Sequence, residues 1–183
     1  MKRAIVIGAT SGIGWEVARL LVQRGYAVGI AGRRMEKLVE FQQTLSPQAH
    51  IKQIDVSEQE EAITRLQELI AEMGGMDLIV ISSGIGRRNL ELEWPPEKET
   101  IEVNVLGFVA MATTAFRYFQ QQGSGQIAGI SSIAALRGGG EVPAYAQILQ
   151  LISSRSRLPV LSREIGHIFL AQTIPFGIPF PDS

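Results

Sequence analysis

Short apolar runs alternate with amphipathic stretches over the first three quarters of the chain. Ala4-Ile5-Val6-Ile7-Gly8 reads as a buried strand, and Gly12 to Arg24 has helical periodicity that stops at Gly25, a residue suited to a helix C′ position. Tyr26 to Ala31 predicts a second strand, Arg34 to Leu45 a second helix and Ile51 to Val56 a third strand. Ser57-x-x-Glu60 has the form of a capping box, and the helix it would open puts Ile63, Leu66, Ile70 and Met73 on one face before Gly74-Gly75 stops it. Met76 to Ser82 predicts a fourth strand, Lys98 to Gln121 a long helix behind the break at Trp94-Pro95-Pro96, and Gln126 to Ser131 a fifth strand. Strands alternating with helices of this length imply an α/β domain, a doubly wound parallel sheet covered on both faces. Residues 1–150 read as that domain and 151–183 as a divergent tail, where Pro159, Pro175, Pro179 and Pro181 discourage regular structure; Ile165 to Ile174 is a candidate further strand.

Composition narrows the function classes. The chain has 183 residues, 45% apolar and 19% charged, enough for one domain with a real core. A net charge of −1 gives no electrostatic reason to expect nucleic acid or a membrane surface as partner. Cysteine is absent, which excludes disulfides and thiolate zinc sites and fits a reducing, cytoplasmic setting. No run of apolar residues is long enough for a membrane span. His50 and His167 have no spacing with acids that suggests a metal site or a nucleophilic triad.

The turn between the first strand and first helix carries the first chemistry. In Gly8-Ala9-Thr10-Ser11-Gly12-Ile13-Gly14, a glycine turn leads into a helix N-terminus, where backbone N–H groups and the helix dipole favour an anion and missing side chains let a pyrophosphate come close. About twenty residues on, a cofactor with a free ribose 2′-hydroxyl calls for a carboxylate and one with a 2′-phosphate for arginine. Gly32-Arg33-Arg34 stands there, with no acid before Glu36, so the sequence favours NADP(H) over NAD(H).

With these motifs in order, the chain resembles the single-domain short-chain dehydrogenases/reductases, from Met1 to about Tyr145. GATSGIG (8–14) resembles that family's glycine signature, and Asp55-Val56 the pair near the adenine ring. Ile81-Ser82-Ser83-Gly84 stands where the family usually has Asn-Asn-Ala-Gly, and Asn104-Val105-Leu106-Gly107 resembles the segment with its structural and catalytic asparagine. GQIAGISSIA (125–134) followed by Tyr145 resembles the active-site strand and helix. The resemblance implies a Rossmann-type fold with an incomplete C-terminal part. It also implies hydride transfer between a nicotinamide and a small carbonyl or alcohol substrate. Tyr145 would exchange the proton on the substrate oxygen, Ser132 would polarise that oxygen, and Asn104 would help hold a proton-conducting water chain. Cofactor contacts would come from the 8–14 turn, Arg33, Arg34, Asp55, Val56 and Gly84. The family often forms dimers through its long helices, here the one with Phe108, Met111, Phe116 and Phe119, although most of these read as core.

One position departs from the family in a way that matters chemically. A lysine four residues after the tyrosine lowers its pKa and binds the nicotinamide ribose in the family; this chain has Leu149, and no lysine after Lys98. Unaided, a tyrosine with a pKa near 10 is only ~0.1% phenolate at neutral pH. The expectation is therefore a chain that binds NADP(H) and turns over carbonyl compounds poorly or not at all. A non-catalytic dinucleotide-binding or interaction protein, or a truncated product, is the alternative. The abrupt change of character after Tyr145 suits a reading-frame shift with an early stop; genuine divergence is the rival account. Arg87-Arg88 follows the fourth strand on the ligand side of such a sheet, and two solvated arginines are the plainer reading.

Overall fold

The computed structural model describes residues 1–46 and 48–130, together with two strands further on, and has the alternating architecture that the pattern implies. In chain order these are β1 (Arg3–Ile7), α1 (Gly12–Gln23), β2 (Ala27–Gly32), α2 (Met35–Leu45), β3 (His50–Gln53), α3 (Gln59–Glu72), β4 (Leu78–Ile81), α4 (Trp94–Ile101), α5 (Phe108–Gln122), β5 (Gln126–Ile130), β6 (Val160–Leu161) and β7 (Phe169–Thr173). The sheet order is β3-β2-β1-β4-β5-β7-β6, and the first five strands are parallel. The order reverses direction at β1, between β2 and β4, which opens a crevice at the strand carboxyl ends.

The period of two along β1 sorts its side chains onto two cores. Ile5 and Ile7, with Ile79 and Ile81 beside them in register, face α3 and α5 and pack with Leu66, Leu69, Met111, Ala115 and Phe119. Ala4, Val6, Val28, Ile30 and Val80 face the other way onto Ala18 and Leu21 of α1 and Leu38 and Phe41 of α2. Complete burial of each Ile, Leu or Phe side chain stabilises by roughly 1.5–3 kcal/mol. Met111 and Phe119 are fully buried and Phe108 packs against the same core, so these are interior residues rather than a dimer face.

Several sequence expectations change in detail. The sheet is not parallel throughout: β7 runs antiparallel to β5, and β6 antiparallel to β7, giving a mixed edge on a parallel centre. The strand expected over 165–174 is β7, at 169–173. Ser57 is no capping box: its hydroxyl donates to Asp55 Oδ1 at 2.7 Å, and α3 starts later, after Glu58, with no side-chain cap. Donation to a carboxylate is charge-assisted and holds the Ser57 side chain toward Asp55. Trp94-Pro95-Pro96 begins a helix instead of breaking the chain, because proline's fixed φ and missing N–H suit the first turn. Finally, the long helix is three pieces: α4, a wide π turn over Glu102–Gly107, and α5.

Candidate functional site

The crevice at the carboxyl ends of β1, β2, β4 and β5 is a cleft of about 450 Å³, in the range of small-molecule and cofactor sites. Its floor begins with the 8–14 turn. Gly8 has φ +84°, and a Cβ there would lie 2.6 Å from the Ser83 nitrogen; a Cβ on Gly14 would fall onto the Gly8 carbonyl oxygen. Both glycines are therefore required by close backbone approach, and Gly8 also by its left-handed backbone. The Gly8 and Ala9 N–H groups both donate to the Ala31 carbonyl, at 2.8 and 3.0 Å, which ties the turn to β2.

Ser11 sits at the N-cap of α1 without capping it, and the first turn carries no acid. The N-terminal amides of α1 therefore meet no competing carboxylate from that turn, and a negative group of a ligand is favoured there. Thr10, Ser11 and Ile13 line the cleft, while Gly12 and Gly14 lie in the first turn of α1. Ser83 adds a buried hydroxyl with no hydrogen-bond partner, on the same wall. A cradle that admits no Cβ, an acid-free helix start and an orphaned buried hydroxyl fit the pyrophosphate part of a dinucleotide.

The second strand delivers both arginines. Arg34 turns back over the glycine turn, its Nη2 donating to Thr10 Oγ1 at 2.9 Å and Ser11 Oγ at 3.2 Å. Arg33 lines the same cleft, and its carbonyl accepts from Gln53 Nε2 at 3.0 Å. Asp55 and Val56, just past β3, form the neighbouring wall; Asp55 is held by Ser57, whose N–H and hydroxyl both donate to Oδ1.

The wall beyond β4 is fastened by the π turn. Buried Asn104 accepts from the Ile85 N–H at 2.9 Å and donates through Nδ2 to the Ile85 carbonyl at 2.7 Å, so one amide fixes both faces of one peptide residue. Gly84, Ile85 and Gly86 line the cleft as a result. Gly107 closes the same turn against β3's exit, where a Cβ would come within 2.7 Å of Val56. One acceptor and one donor capacity of the Asn104 side-chain amide are thus used to position residue 85.

Every expected cofactor residue lies at this cleft or in its turn. Ser132, Tyr145 and Leu149 lie outside the described residues; Ile130, the last residue of β5, lines the cleft two positions before Ser132. Sequence reasoning missed Glu99. It rises from α4 to meet Arg87, whose Nε and Nη2 donate to it at 2.6 and 2.9 Å. Arg87 is therefore fork-paired rather than simply solvated. No local signal announces a contact between a helix and a loop twelve residues apart. Among the described residues there is no cluster of His, Cys, Asp or Glu able to hold a metal, and no helix long and apolar enough to cross a membrane.

Comparison with known proteins agrees with this geometry. The family model described as short chain dehydrogenase matches residues 2–147, ending two positions before Leu149. An uncharacterized oxidoreductase of Myxococcus xanthus is 30% identical over 158 residues, covering 84% of this chain and 62% of that protein. The 3-oxoacyl-[acyl-carrier-protein] reductase of Chlamydia muridarum is 32% identical over 171 residues, covering 90% of this chain and 68% of its own length. Among solved structures, an actinorhodin polyketide ketoreductase variant crystallised with NADPH superposes with a TM-score of 0.79 at 24% identity, over 84% of this chain and 61% of that one, a likeness of fold. The chain thus spans about six tenths to two thirds of the length of these relatives.

Proposed function

Since the chain belongs to the short-chain dehydrogenase family, we propose that it binds a nicotinamide dinucleotide at the Gly8–Gly14 cradle, prefers NADP(H) to NAD(H), and serves oxidoreduction of a small carbonyl or alcohol compound. The observation that carries the preference is Arg34 laid across Thr10 and Ser11 at the end of β2, where a carboxylate would favour the unphosphorylated ribose. A guanidinium in that position presents planar donors to a phosphate. When bound, the dinucleotide supplies or accepts the hydride.

The remaining roles belong to the chain's own side chains. The Tyr145 phenol holds the proton exchanged with the substrate oxygen, and the Ser132 hydroxyl donates to that same oxygen; both assignments rest on the family pattern. Asn104 sets the course of residues 84–86 along the cleft wall. With Leu149 in place of a cation, the phenol keeps its proton at neutral pH. Reduction remains feasible with a neutral donor, but the loss of pKa tuning and of cofactor orientation slows it by orders of magnitude. Leu149 also favours a second reading, a dinucleotide-binding protein without turnover.

One set of measurements separates these readings. NADPH and NADH are titrated by calorimetry, and NADPH oxidation is followed over a panel of aldehydes and ketones, with wild type, Tyr145→Phe and Leu149→Lys. The proposal expects tighter NADPH binding, slow turnover lost in Tyr145→Phe and faster turnover in Leu149→Lys. Binding without turnover in any variant selects the non-catalytic reading. A folded protein that ignores both dinucleotides ends the proposal.

A further inference from the structure

Two arginines from different loops flank one carboxylate, and one of them, Arg33, lines the cleft. Arg33 follows β2 and lines the cleft wall; Arg87 follows β4; Glu99 stands on α4 between them. Arg87 makes a two-pronged hydrogen bond, Nε to Oε2 at 2.6 Å and Nη2 to Oε1 at 2.9 Å. Arg33 Nη1 lies 4.0 Å from Oε1, too long for a hydrogen bond but close enough for a solvent-screened charge attraction. Arg33 is therefore tethered by charge while its donors are not used up by Glu99. The hydrogen bonds from Arg87 hold the Glu99 carboxyl below its usual range, so it is an anion at neutral pH, and it also feels the negative charge of Asp55 on the cleft wall. A negative group entering beside Arg33 meets a resident anion already there.

We propose that Glu99 is a specificity-determining residue that weakens binding of a 2′-phosphorylated dinucleotide relative to one with a free 2′-hydroxyl, by competing for Arg33 and repelling the added phosphate. Arg87 limits the effect, because its fork draws the carboxylate's charge onto itself. This rests on the reading that Arg33 and Arg34 receive the adenosine ribose. It differs from that reading in sign: the arginines favour the phosphate and Glu99 opposes it, so the net preference of the wild type is a balance of the two.

The test uses the full chain and ligands that isolate the adenosine end. Affinities for 2′,5′-ADP, 5′-AMP, NADPH and NADH are measured by calorimetry for wild type, Glu99→Gln, Arg87→Ala and Glu61→Gln, the last an equal charge change on exposed α3. Glu99→Gln is expected to tighten 2′,5′-ADP and NADPH about tenfold, with 5′-AMP and NADH moving less than about twofold. Arg87→Ala frees Glu99 to pair with Arg33 and shifts the ratio the opposite way. Glu61→Gln leaves the ratio unchanged. An unchanged or reversed ratio in Glu99→Gln overturns the inference, as does an equal shift in Glu61→Gln. Should wild type prefer NADH while Glu99→Gln moves toward NADPH, the NADP(H) preference falls and the role of Glu99 stands. Should wild type prefer NADPH and Glu99→Gln not move the ratio, the preference stands and the role of Glu99 falls. No binding by any variant overturns both.

Discussion

Asn104 holds Ile85 by both its N–H and its carbonyl, at 2.9 and 2.7 Å, so a side chain in a helical turn substitutes for a strand partner in the loop after β4. Half-buried Ile85 lies outside any strand ladder, and this one amide serves both of its backbone groups. Removing the amide orphans both at once.

Asn104→Ala should therefore destabilise the fold by about 2–4 kcal/mol, the cost of two unsatisfied backbone groups and a small cavity. Urea unfolding measures this. Asn104→Asp, which keeps the acceptor and loses the donor, should fall between the two. A loss below about 0.5 kcal/mol in the alanine variant would show that the loop finds other partners.

Gly14→Ala should lower dinucleotide affinity by at least about a hundredfold, because the new methyl meets the Gly8 carbonyl and pushes the cradle open. Overpacking of this kind also costs roughly 1–3 kcal/mol of stability. Calorimetric titration with NADPH, paired with thermal melting, distinguishes a closed site from an unfolded chain. Wild-type affinity in the variant would refute the cradle.

Arg34→Ala should weaken NADPH binding roughly tenfold or more and NADH binding much less, since charge-assisted contacts to phosphate are the strong ones. The NADPH affinity of wild type should also fall more steeply with salt than that of the variant. Equal losses for both cofactors would mean that Arg34 only braces Thr10 and Ser11.

The Arg87–Glu99 fork predicts a pH dependence with a definite sign. Hydrogen bonding to Arg87 depresses the Glu99 pKa in the fold, so the pair's contribution to stability is complete above the usual carboxylate range and is lost as pH falls through the lower folded value. Glu99→Gln and wild type should thus differ in melting temperature at neutral pH and converge in acid. Curves that stay parallel down to the acid end would show that the pair contributes nothing to stability.

The sheet and its ligand edge were legible because their signals are local. Runs such as Ile5-Val6-Ile7 and Leu78-Ile79-Val80-Ile81 are apolar on both faces, and a strand covered by helices on both sides demands that. The glycine turn was legible because close backbone approach leaves few residue types. Ser57 misled because a capping box and an Asx-type turn use the same residues, and Asp55, two positions back, decided between them. Glu99 and the Ile85 clamp were not legible, since each depends on α4 and the π turn lying against loops whose path only the tertiary fold sets. Ser132, Tyr145 and Leu149 rest on the family pattern alone.

The wide turn at 102–107 has a consequence for the helix as a whole. An α-helix advances about 100° per residue, so a turn that holds one residue more shifts the phase of everything after it by about that angle. Within the turn, Val103 and Asn104 line the cleft, and Val103 also joins the buried core that Met111, Ala115 and Phe119 enter further along. The irregular turn is thus the place where the cleft wall and the buried stripe of α5 join.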